Sequence, residues 1–118
     1  MIFPNHYPNC LVLEVGTDMP GDIKSITKWL RPDIVVFNKI GETPVHVEFF
    51  ESKEELIKEK LNLVYALTKG GGLVVNGDDM DSLRASREVG LATVFKVGFS
   101  DTNDLIASNC HTMFLEDQ

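Results

Sequence analysis

Short β-branched runs alternate with helix-patterned segments along this chain, and that order constrains its fold more than any other feature. LVLEVG (11–16) reads as a strand ending in glycine, closed off by Pro20-Gly21. Ile23, Ile26, Trp29 and Leu30 then recur at the spacing of one helix face. Arg31-Pro32 ends that segment, because a residue before proline is pushed out of helical backbone. DIVVFN (33–38) is a second strand. Ser52 with Glu55 forms a capping box, so a long helix is expected from about 53 to about 68, ended by Gly70-Gly71-Gly72. LVVN (73–76) is a third strand, and residues 80–89 form a short helix closed by Gly90. ATVFKVG (92–98) is a fourth strand and CHTMFLE (110–116) a weaker fifth. This alternation predicts an α/β fold with a mostly parallel sheet in three layers. Right-handed crossovers bring the carboxyl ends of such strands to one edge, where ligands bind in open sheets.

The chain has 118 residues, the size of one small domain. Eleven Lys and Arg against 18 Asp and Glu leave a net charge of −7. Phosphate neutralisation needs a basic face, so nucleic acid is disfavoured as a partner. No apolar stretch approaches the roughly 20 residues that cross a bilayer. MIFPNHYPNC lacks the basic and apolar regions of a signal peptide. Cys10 and Cys110 do not make a disulfide framework, and the default is a cytoplasmic protein with reduced thiols.

Several residues sit oddly in this frame. Glu14 interrupts an apolar run, where a carboxylate must be paired, reach water or bind a cation. His46 follows the second strand at the carboxyl edge; a structural histidine and a ligand are both open readings. Lys60 falls inside the apolar arc of the long helix defined by Leu56, Ile57, Leu61, Val64 and Leu67. It is either a snorkelling stem or a lysine facing a site, as an ammonium or chemically modified. Asp78 and Asp79 follow the third strand, and turn chemistry alone accounts for them. Asp18 and Asp22 suit the start of the first helix. His6, Cys10, Cys110 and His111 have no zinc-site spacing. Neither G-x-x-x-x-G-K-[ST] nor G-x-G-x-x-G is present, and Gly70-Gly71-Gly72 follows a helix instead of opening one.

Taken in order, LVLEVGTDMPGDI, RPDIVVFNKIGETPVHVEFF, EELIKEKLNLV and GGLVVNGDD resemble the central, ATP-binding domain of the Mur ligases over roughly residues 11–110. The likeness is nearest to the branch that joins D-alanyl-D-alanine to a UDP-MurNAc-peptide. Pro44 before Val45-His46 resembles a variant form of the family's histidine motif, and Asn38 or Lys39 stands where the family has an asparagine. The resemblance implies peptidoglycan precursor synthesis by an acid–amino-acid ligase: ATP phosphorylates the peptide carboxylate and an amine attacks the acyl phosphate. It implies ATP and Mg2+ as cofactors. It assigns Glu14 and His46 as metal ligands, Lys60 as a carbamylated lysine that also binds metal, and Asn76 and Asp78 as the nucleotide segment. Of these, Lys60 and His46 would serve catalysis most directly. The phosphate-binding loop, the UDP-sugar domain and the C-terminal domain of the family find no counterpart in these residues. The expectation is therefore a partial central domain over 1–118, inactive alone, with apolar sheet surface exposed. The competing expectation is a non-catalytic α/β binding or interaction module of the same descent.

Overall fold

The computed structural model describes residues 8–39, 49–88, 90 and 93–110. In chain order its elements are α1 (Asp22–Ile26), β1 (Ile34–Phe37), α2 (Lys53–Tyr65), β2 (Gly72–Asn76), α3 (Met80–Glu88), β3 (Thr93–Gly98) and β4 (Leu105–Ile106). The strands form one all-parallel sheet in the order β1-β2-β3-β4. Val35 pairs with Leu73 and Leu73 with Val94; Asn76 pairs with Val97. The α/β class and the parallel sheet read from the sequence are what the molecule adopts.

Side chains of a strand alternate between the two faces of the sheet. Val35, Phe37, Leu73 and Val75 point to one face and are buried, packed with Leu61 and Val64 of α2. Leu83 of α3 packs against the same cluster. Both crossover helices therefore lie on one side, as right-handed connections between sequentially adjacent parallel strands require. The opposite face of β1 and β3 shows Ile34, Val36 and Phe95 exposed.

The long helix starts where the capping box places it. Ser52 Oγ accepts the Glu55 N–H at 3.2 Å. The Glu55 carboxylate reaches one residue further back than a standard box, accepting the Glu51 N–H at 2.8 Å. The helix ends at Tyr65, before the expected limit. The chain then hooks back: Thr68 N–H donates to Pro32 O and Gly72 N–H to Asp33 O, both at 2.9 Å. A Cβ at Gly71 would lie 2.9 Å from the carbonyl oxygens of Asp33 and Thr68, so this close approach admits only glycine.

Three expectations need correction. Residues 11–16 form no strand, and Leu11 and Val12 are exposed. An apolar β-branched run becomes a strand only when a neighbour pairs its backbone and a core covers one face, and the described residues supply neither. The first helix covers 22–26 rather than 22–30. Beyond it the bonding is mixed: Lys28 N–H on Ser25 O and Trp29 N–H on Ile26 O are i→i−3 bonds, and Leu30 N–H on Ile26 O is i→i−4. The Arg31 guanidinium takes the carbonyl oxygens of Thr27 and Leu30. Trp29, placed on the apolar face by periodicity, is 71% exposed, and Ile23 carries the burial instead. Finally, Cys110 is outside any strand, and residues 111–116 lie outside the described residues. The strand on that side of the sheet is the two-residue β4, too short to show a period.

Candidate functional site at the carboxyl edge

The turn after β2 and the loop after β3 meet at the carboxyl edge and are joined by Asp78. Its Oδ2 accepts the Phe99 N–H at 2.5 Å. Its Oδ1 accepts the Ser100 N–H at 3.1 Å and the Asn103 amide at 2.9 Å. Asn76 Oδ1 accepts the Asp78 N–H at 3.0 Å, which shapes the turn that presents this carboxylate. Gly77 N–H donates to Val97 O at 2.9 Å. Asn103 is buried, and its Oδ1 has no partner among the described residues. That oxygen occupies the space a Cβ on Gly77 would need, and a Cβ on Gly98 would collide with Asp78 and Asn103 together. Glycine at both positions is thus a steric condition for the clasp.

Donors around Asp78 hold its carboxyl below the usual aspartate range: the Phe99 N–H most, then the Asn103 amide; desolvation opposes them, and the Ser100 N–H adds the least. A carboxylate with a depressed folded-state pKa adds stability above its unfolded value, near 3.9, and loses it as pH falls through the lower, folded value. The wild-type chain is therefore expected to lose stability in that acid window, and Asp78→Asn to lose less there. Urea midpoints measured at neutral pH and across the acid range check this. Parallel pH profiles for the two proteins would show that the clasp carries no charge-dependent stability.

The neighbouring turn is built similarly. Asp79 Oδ2 accepts the Ser82 N–H at 2.9 Å, capping α3. The fully buried Ser82 hydroxyl lies 2.6 Å from that carboxylate and 2.7 Å from the Asn38 carbonyl, linking the ends of β1 and β2. Ser82 and Asn103 were not singled out by sequence reasoning. Asp79-x-x-Ser82 was a legible capping pattern, whereas nothing local marks Asn103.

The other expected residues are more scattered. Glu14 is exposed on irregular backbone ahead of α1, not inside a strand. His46 lies outside the described residues. Lys60 is half-buried on α2, within the arc that contains Leu56 and Val64. Glu59 beside it is the more buried residue. Its Oε1 accepts the Lys24 N–H in the first turn of α1 at 3.1 Å, and its Oε2 accepts the Asn62 amide at 3.3 Å. α1 begins at Gly21 with no side-chain cap, so Glu59 supplies from another helix an acceptor that α1 lacks locally. Periodicity could not flag Glu59, because it sits at the margin of the arc.

Among the described residues no group of three His, Cys, Asp or Glu converges to hold a metal. Glu14 offers a hard oxygen donor, but an unmodified Lys60 ammonium repels a cation. These side chains as they stand do not fit a divalent ion.

In open parallel α/β sheets ligands bind at the carboxyl edge, where these turns gather. Residues 3–116 match the Mur ligase middle domain, and the chain belongs to that family. It is 29% identical over 68 residues to the UDP-N-acetylmuramoyl-tripeptide–D-alanyl-D-alanine ligase of Rickettsia prowazekii, covering 58% of this chain and 15% of the relative. It is 32% identical over 68 residues to the Bacillus subtilis ligase of the same name, covering 58% of this chain and 14% of that protein. It is also 33% identical over 66 residues to the UDP-N-acetylmuramate–L-alanine ligase of Borreliella burgdorferi, covering 54% and 14%. The chain thus matches about one seventh of the length of these relatives. Among the described residues no helix is long and apolar enough to cross a membrane.

Proposed function

We propose that this chain is part of the ATP-binding domain of a cytoplasmic ligase that adds D-alanyl-D-alanine to a UDP-MurNAc-peptide. The match of residues 3–116 to the Mur ligase middle domain carries this reading, and two of the relatives bear that activity in their names. The peptide carboxylate takes the terminal phosphoryl group of ATP, releasing ADP. The dipeptide amine attacks the resulting acyl carbon, phosphate leaves, and the nitrogen sheds its proton. Such reactions depend on positioning and on neutralising phosphoryl charge.

The residue roles belong to the same proposal. Carbamylation would turn the Lys60 ammonium into an anionic oxygen donor. With the Glu14 carboxylate it would supply hard oxygen donors of the kind Mg2+ takes, and the His46 imidazole would complete the set the resemblance implies. Asn76 and Asp78 lie at the edge where the nucleotide would bind. A second reading, a non-catalytic interaction module, is favoured by the exposed Ile34, Val36 and Phe95 on the open sheet face.

ADP release by the whole protein that carries this chain separates the two readings. The expected result is ATP hydrolysis coupled to amide formation with a UDP-MurNAc-tripeptide and D-alanyl-D-alanine. Turnover only with UDP-N-acetylmuramate and L-alanine would move the assignment to the other ligase specificity. No ADP with either substrate pair would leave the interaction module.

A further inference from the structure

Phe99 opens the loop that leaves β3, at the edge shared with the turn after β2, and it is 70% exposed. Its backbone is nevertheless fixed, because its N–H and that of Ser100 both donate to Asp78. Asn103 holds the same carboxylate from within the loop. Met80, which begins α3 just beyond Asp78, is exposed as well. An aromatic side chain left in water on a pinned backbone is preorganised: a planar ligand meets it without having to order the loop first. The exposed Asp78 carboxylate spends three of its roughly four acceptor positions on these donors.

We propose that Phe99 is the aromatic face on which the nucleobase of the bound nucleotide stacks, and that Asp78 is a positioning residue holding Phe99 there. The inference deepens the nucleotide reading above and rests on it. It changes the role of Asp78 from a nucleotide contact to the clasp behind one. Phenylalanine stacks on a base through its π-face and apolar area, with no hydrogen bond to read the base edge. Any base selectivity at this edge must then come from polar neighbours and not from the ring.

The test is a calorimetric titration of the whole protein with ATP, adenosine and inorganic tripolyphosphate. Phe99→Ala is expected to weaken ATP and adenosine about tenfold, the scale of one base–aromatic stack, and to leave tripolyphosphate unchanged. Phe99→Tyr should restore the parent affinity. Asp78→Ala should weaken adenosine in the parent background but add nothing once Phe99 is alanine. A purely structural Asp78 would not show that dependence on the ring. ATP binding by Phe99→Ala as tight as in the parent overturns the proposal and leaves the ligase reading standing. Equal weakening of ATP and tripolyphosphate also overturns it, since the loop and not the ring would then matter. A parent that binds neither ATP nor adenosine overturns both readings.

Discussion

Leu61→Ala is expected to remove about 3 kcal/mol of folding free energy, within the range found for buried leucine truncations. Leu61 is 2% exposed and packs with Val35, Phe37, Val64, Leu73 and Val75. This small cluster is the main apolar core, because both crossover helices cover the same side of the sheet. The cavity cannot be closed easily: β1 and β2 are held in register by their ladder, and α2 is fixed at its start by Ser52. A domain of this size is stable by only about 5–15 kcal/mol, so such a loss takes a large share. Urea unfolding should show a lower midpoint with an unchanged slope. Val36→Ala on the open face is the control, with a change below about 0.5 kcal/mol. Comparable losses at both positions would mean that the outer face is covered in solution, and the one-sided core would be wrong.

The same one-sidedness explains what was legible in the sequence. Strands β1 and β2 were visible because each is a β-branched run whose alternate residues pack with α2, and β3 because it carries the same β-branched composition beside β2. α2 was visible because its capping box is local. LVLEVG carries the same pattern, yet it forms no strand, because pairing and burial are decided by what lies beside a run and not by the run itself. Trp29 shows the same limit in a helix: its spacing matched Ile23 and Ile26, but the helix ended before the periodicity did. At the carboxyl edge, Asn76 and Asp78 were legible as turn residues, and their turn bonds are what the molecule uses them for. The clasp to Asn103 crosses 25 positions of sequence, and no local pattern encodes such a pair. Glu59 was hidden for a related reason. A glutamate on a helix is normally solvated, and only the uncapped start of α1 gives this one a reason to be buried.

Glu59 and Lys60 are chain neighbours with opposite expected phenotypes, and that contrast tests the candidate site most sharply. Glu59→Ala leaves the Lys24 N–H without its acceptor, while the Asn62 amide keeps the backbone carbonyls of Lys58 and Glu59; the orphaned donor should destabilise the fold by about 1–3 kcal/mol. Glutamine at the same position keeps an acceptor for Lys24 and should recover most of that loss. Lys60 holds no comparable structural bond among the described residues, so Lys60→Ala should shift the unfolding midpoint little. On the proposed reaction its effect should be far larger. If Lys60 carries a carbamate that helps hold charge on the transferring phosphoryl group, removing it should lower kcat by about a hundredfold to a thousandfold, as loss of one charge-stabilising group does elsewhere. A short carboxylic acid added to Lys60→Ala can occupy the vacated space and restore an anionic oxygen, so part of the rate should return with it. The same additive should do nothing for Glu59→Ala, whose defect is in folding. Full activity in Lys60→Ala would show that the lysine is a snorkelling stem on the apolar face. Activity lost without rescue, together with a lowered unfolding midpoint, would show that it packs rather than binds.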